Sequence, residues 1–222
     1  MCASEPPRPA KAGRIDRWIQ ALDDGISRGL YWFSHHWLAV ITVLIGLMVG
    51  LPLLAPALMA AGLEPLGRAL HALYYPSCHQ MPQRSFFLFG PQLTYSLDQL
   101  AELIGGTVPA RFVGIEETGY KMAICERCTG VYSGMLLSAI GFGLYRHTRP
   151  ISFWVLVPML AWMVVDGTAQ LLGLYTTGWE VRFLNGALFG AAAILATFPY
   201  LEAGMRDIVY HSTVSLEPPA SS

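Results

Sequence analysis

Charge is what this sequence has least of. Only 13% of its 222 residues are Asp, Glu, Lys or Arg, against 54% hydrophobic. That balance excludes an ordinary soluble domain. The charges are also segregated, leaving windows of about 20 residues with almost none, the length a helix needs to cross a bilayer. A surplus of either sign is missing as well. The net charge is −1, so nothing marks nucleic acid as a partner. The opening residues MCASEPPR hold no apolar run, and no cleaved signal peptide is expected from them. Cysteine is rare too, with four in the chain. Cys2 precedes no lipobox and reads as an idle cysteine in a Pro-rich tail.

What is there is a helical membrane pattern. Residues 1–13 are expected to be a disordered tail. From Arg14, the residues Ile15, Trp18, Ile19, Leu22 and Ile26 recur at helical spacing with charges between them. Residues 14–34 are therefore expected to form an amphipathic interfacial helix. Tyr31, Trp32, Phe33 and Trp37 form an aromatic belt, and His35-His36 reads as polar flank rather than a metal site. A membrane domain over 35–204 follows, with spans expected at about 37–60, 122–145, 151–174 and 182–201. Pro52 should kink the first of them. Short connections between the later spans make them antiparallel neighbours, so the fold class is all-α, a four-transmembrane-helix bundle. Residues 63–75 suit a surface or re-entrant helix, and 91–120 a polar loop with a short helix near Ser96–Ile104. Residues 205–222 form a C-terminal tail. Gly130-x-x-x-Gly134 and Gly186-x-x-x-Gly190 are small-residue faces for close helix packing.

Four spans put both termini on one side. Arg8, Lys11, Arg14, Arg17, Arg28, Arg146, Arg149 and Arg206 fall on that side, which favours cytoplasmic termini in a multi-pass plasma (inner) membrane protein.

The chemistry is concentrated in Cys78-His79 and Cys125-Glu126-Arg127-Cys128. Cys125 and Cys128 are three apart at a helix start, so both leave one face of its first turn. The helix N-terminus and Arg127 favour thiolates there. Cys78, His79, Cys125 and Cys128 are the ligand types of a Cys₃His metal site, most simply for Zn²⁺, with iron also compatible. The same thiols are the parts of a thiol–disulfide redox centre. Both readings stay open at this point. No catalytic residue is assigned.

Asp166 lies inside the third span, roughly 12 Å from its outer end at helical rise. A carboxylate there needs a partner or a cavity. Gln170, Arg182 and Asn185 fall near its level, so Asp166, Gln170, Arg182 and Asn185 are expected to form an intramembrane polar network. Either a staple between helices or a proton-handling role would account for it.

Four ordered motifs carry a resemblance. They are Cys78-His79-Gln80-x-Pro82-x-Arg84-Ser-Phe, Cys125-x-Arg127-Cys128-x-Gly130-x-Tyr132-x-Gly134, Asp166-Gly167-x-x-Gln170 and Arg182-x-x-x-Gly186-x-x-x-Gly190. Over about residues 70–200 they resemble the bacterial membrane-protein family labelled domain of unknown function 2085. The family has an acidic residue where this chain has Gln83, and residues 91–120 stand as an insertion. The resemblance marks residues, with Arg84 and Arg127 beside the cysteines, and implies no activity.

The sequence therefore supports a membrane protein with an outward-facing Cys/His metal site in a structural or binding role. A quinone-linked thiol–disulfide oxidoreductase is the alternative, and a small transporter or a subunit of a membrane complex the third. The lipid bilayer is the expected partner, with homo-oligomerisation or a membrane-complex partner beyond it.

Overall fold

The computed structural model describes residues 14–146 and 149–214. The expected N-terminal tail and residues 215–222 lie outside these. The described residues are mostly helical. In chain order they form α1 (Arg14–Ala60), α2 (Glu64–Tyr74), a 3₁₀ turn at Pro82–Arg84, β1 (Ser85–Leu88), α3 (Leu97–Ile104), β2 (Gly114–Ile115), β3 (Gly119–Cys125), α4 (Glu126–Leu144), α5 (Phe153–Leu171) and α6 (Trp179–Val214). Three of these helices, α1, α5 and α6, are long and apolar enough to cross a membrane.

The described residues divide into two compact units, one of them Leu38–Glu202 and the other the two terminal segments 14–37 and 203–214. In the terminal unit Ile15, Trp18, Leu22 and Ile26 are all exposed. His35 and His36 each hydrogen-bond through Nδ1 to a carbonyl one turn back, at Tyr31 (3.1 Å) and Trp32 (2.9 Å). Helix α1 runs unbroken where the sequence suggested an interfacial helix followed by a span. The last helix likewise continues to Val214, through the start of the expected tail.

In the larger unit, α1 ends in a Schellman turn. Gly62 takes φ 79°, Leu63 N–H donates to Leu58 O (2.8 Å) and Gly62 N–H to Met59 O (3.0 Å), which caps the last carbonyls. The chain then folds back. At Gly67 a side chain would collide with Met59, while Tyr74 OH reaches Leu47 O at 3.2 Å, so α2 lies along the end of α1.

The all-α expectation misses a small antiparallel sheet of order β1-β3-β2. Phe87 pairs with Lys121 and Ser85 with Cys125, with a bulge between Ser85 and Phe87. The strand β3 is hidden in the sequence because almost every residue of it is buried, so it shows no alternation. Its run Met122–Cys125 reads on into the helix behind it. Helix α4 consequently starts at Glu126, four residues later than the span expected from 122. Helix α3 is the short helix expected near Ser96, with Ser96 and Gln99 forming a capping box. It closes a core of Phe87, Tyr95, Leu100 and Phe112 over the sheet.

Helices α4 and α6 are in backbone contact. A Cβ on Gly130 or Gly134 would overlap the carbonyl oxygens of Phe183 or Ala187, and one on Gly186 or Gly190 those of Arg127 or Val131. Both small-residue faces meet each other, as their spacing requires.

Candidate metal centre

Two chain segments deliver the three thiols, Cys78 just after α2 and Cys125 with Cys128 at the junction of β3 and α4. Cys78 follows the C-terminal end of α2, where its N–H caps Tyr74 O at 3.0 Å. The turn beyond it is fixed by Gln80, a buried non-glycine residue at φ 51°. Gln80 Nε2 donates to His71 O (2.8 Å), His71 Nδ1 donates to Gln80 Oε1 (3.1 Å), and Lys121 Nζ donates to Gln80 O (2.6 Å). Cys125 ends β3 in an extended conformation and is the N-cap residue of α4, whose first turn carries Cys128.

The sulfurs of Cys78, Cys125 and Cys128 lie within 4.8 Å of one another. Thiolates around a tetrahedral Zn²⁺ sit ~3.8 Å apart, from a metal–sulfur distance of ~2.3 Å. The three therefore fit one ion with little movement. All three are free thiols. Hydrogen bonds from the Cys125 and Cys128 thiols hold Cys78 well below the usual thiol range, against the opposing effect of burial. One thiolate is thus already favoured. Burial draws Lys121 down to about 8 against the opposing negative charge of Cys78 and Cys125.

His79 does not join this group. Cys78 points into a core with Ala55, Tyr74 and Ile124, while His79 is exposed and lines the cavity beside the thiols. Adjacent residues on this turn diverge, so the structure assembles three thiols without the imidazole.

That cavity has a volume of about 400 Å³. Its walls include all three cysteines, Arg84, Arg127 and Arg182, and the face of α5 carrying Met163, Val164 and Gly167. A polar network stands behind it. Arg127 pairs with Asp166, which also accepts from Tyr175 OH and from Gln170 Nε2 (2.8 Å). Arg182 Nε donates to Gln170 Oε1 (3.1 Å) and Arg182 Nη1 to Glu126 Oε2 (2.7 Å). Arg84 Nη2 donates to Gln170 O at 2.5 Å. Burial, then the like charges of Arg182 and Arg127, lower the Arg84 pKa. Gly167 is part of the design: a side chain there would come within 2.6 Å of the Arg127 guanidinium.

Asp166 and Arg182 are linked by hydrogen bonds through Gln170. Asn185 is elsewhere, in a second cavity with Pro158, Trp162 and Phe189. Sequence reasoning did not find Glu126, Tyr175, His71 or Lys121. Glu126 was overshadowed by the cysteines flanking it, whereas Lys121 left a signal, a lone cation opening the apolar run Met122–Cys125.

Known proteins add a family and no activity. Residues 114–196 match the model of the family described as "Predicted membrane protein (DUF2085)". An uncharacterized protein of Methanocaldococcus jannaschii is 33% identical over 133 residues, covering 59% of this chain and 67% of the relative. An uncharacterized protein of Methanothermobacter thermautotrophicus is 30% identical over 84 residues, covering 36% of this chain and 72% of the relative. Both relatives are archaeal. No solved structure matches. By the family match and the extent of these relatives, the chain belongs to the DUF2085 family of predicted membrane proteins.

Proposed function

We propose that this membrane protein holds a divalent metal ion, most simply Zn²⁺, on Cys78, Cys125 and Cys128, with its fourth coordination position facing the cavity. The observation that carries this is the convergence of three thiols within 4.8 Å at a cavity wall. Three protein ligands with an open position are the pattern of sites that bind or transform a ligand, whereas purely structural zinc sites are closed by four. Iron has the same thiolate preference and is the second candidate. His79 lines the cavity as a polar neighbour of that open position.

In the bilayer, α4 joins α1, α5 and α6 as the fourth span. Its 19 residues reach ~28 Å at helical rise, close to the hydrocarbon thickness. An even number of spans leaves both termini on one side of the plasma membrane. On the opposite side, Arg84, Lys121, Arg127 and Arg182 are engaged in the site. Arg68 and Arg111 remain as its loop cations, which strengthens the assignment of the termini to the cytoplasm and of the metal site to the outer face. The bilayer is the protein's environment, and the apolar α5 surface, with Trp154 and Trp162 exposed, suits lipid or a second membrane subunit.

Thiol–disulfide exchange is the second reading, favoured by the stabilised Cys78 thiolate facing two further thiols. Elemental analysis with thiol titration on detergent-purified protein, prepared without chelators, separates the two. One equivalent of zinc or iron, lost in Cys125→Ser, is expected. No metal, with two thiols titratable only after reduction, would replace the metal site by a disulfide.

A further inference from the structure

The charges around the cavity are arranged asymmetrically. Arg84, Arg127 and Arg182 reach its wall, while their counter-charges Asp166 and Glu126 do not. Arg127 is matched by Asp166 and Arg182 by Glu126. Among the described residues Arg84 has no carboxylate partner, and its one side-chain hydrogen bond goes to a backbone carbonyl. A guanidinium has further donors to place, and their fork geometry matches a carboxylate.

The cations Arg84, Arg127, Arg182 and the buried Lys121 exceed Asp166 and Glu126 by two. A divalent ion on three thiolates carries one net negative charge. One positive charge is left over in a partly buried site, and the exposed Glu180 is too well solvated to cancel it. An uncompensated charge in such a place is costly, and a monoanion in the cavity removes that cost. Met81, Met163 and Val164 give the wall an apolar part, beside the polar Ser77, His79, Gln80, Thr168 and Gln170. A volume of about 400 Å³ accommodates a small organic molecule.

Resting on the metal reading above, we propose that the cavity binds a carboxylate with a short apolar body, one oxygen completing the metal's coordination and Arg84 supplying the counter-charge. A single surplus charge suits a carboxylate better than a phosphate dianion. The aliphatic body lies against the α5 face. The ligand comes either from water or from the bilayer, as a free fatty acid.

The test uses full-length protein in detergent, loaded with Co²⁺, whose visible spectrum reports its coordination sphere. Hexanoate is expected to change the spectrum saturably, and hexanol, which lacks the charge, to leave it unchanged. Arg84→Gln should retain one cobalt per chain and weaken hexanoate binding about tenfold to a hundredfold, the range for a lost charge-assisted hydrogen bond. Arg84→Lys, keeping the charge without the fork, should fall between. The two sources leave different signatures: affinity rising from propanoate to hexanoate and then levelling for an aqueous ligand, affinity still rising through decanoate for a bilayer one. Equal affinity for propanoate and hexanoate would overturn the apolar contact. Cobalt binding with no response to any carboxylate would overturn the inference alone, and so would a response to inorganic phosphate only. Failure to bind cobalt would overturn the metal site itself and this inference with it.

Discussion

The backbone N–H of Cys125 donates to the sulfur of Cys78 across 3.2 Å, joining residues 47 apart in sequence. This bond ties the end of α2 to the start of α4, and an N–H donor favours thiolate over thiol at that sulfur. The site is therefore built into the packing of Tyr74, Ala123 and Ile124 rather than hung on a loop.

Removing a thiol and removing the nearby imidazole should have opposite outcomes. Cys125→Ser and Cys78→Ser should lose the bound metal and lower the thermal midpoint, because a metal bound only by the folded state adds its binding free energy to stability. His79→Ala should keep one equivalent of metal, since His79 stands outside the thiol group. Metal content by elemental analysis of the three variants decides it, and loss of metal in His79→Ala would make the imidazole a ligand.

Helix contact should be sensitive to one carbon at one glycine and insensitive at another on the same helix. At Gly134 a Cβ meets the Ala187 carbonyl oxygen, a backbone atom that yields only if α4 and α6 separate. Gly134→Ala should cost about 1–3 kcal/mol. Gly141 has nothing within 4 Å of an added Cβ, and Gly141→Ala should be neutral or stabilising by up to about 1 kcal/mol. Thermal unfolding of both variants in the same detergent is the measurement.

Much of this was legible in the sequence, and the failures have physical causes. A four-residue step keeps Asp166 and Gln170 on one helix face, and the antiparallel return of the next helix brings Arg182 to the level of Gln170. The same reasoning failed at Asn185, which α6 turns toward Trp162 and Phe189 instead. The cysteines were found because thiols are scarce and their spacing is specific. Whether His79 would join them depended on the left-handed backbone at Gln80, which no side-chain pattern announces. Strand β3 was invisible because burial on both faces removes the period-two signal that marks a strand. Glycine motifs announced close packing, and the contact of their two faces across α4 and α6 emerged only in three dimensions.

A pH dependence should originate at His71, away from the thiols. This ring is 1% exposed, and among the described residues its Nε2 has no hydrogen-bond partner. Burial lowers its pKa from 6.5 to about 4, with the Gln80 hydrogen bond opposing and the charge of Lys121 reinforcing. The folded state thus binds fewer protons than the unfolded chain between these values. Stability is then fully present above pH 6.5 and declines as pH falls toward 4, by up to about 3 kcal/mol. Thermal midpoints across this range should show the decline in the parent protein and a flatter profile in His71→Gln. An equally steep profile in that variant would assign the dependence to other groups.

The pairing of Arg127 with Asp166 joins α4 to α5 with both groups largely withdrawn from water, at 17% and 3% side-chain exposure. Asp166→Asn keeps the shape and leaves the guanidinium without its counter-charge, which should destabilise the protein by about 3 kcal/mol. The double change Asp166→Asn with Arg127→Met removes both charges and should recover part of that loss. Metal content should hold in Asp166→Asn, because Asp166 is not among the clustered thiols and acts on the cavity through Arg127 and Gln170. A network serving as a staple therefore predicts lower stability with intact metal. If Asp166→Asn instead left the thermal midpoint unchanged and abolished ion or proton movement in proteoliposomes, the carboxylate would be a transport group, and the polar network a path across the bundle.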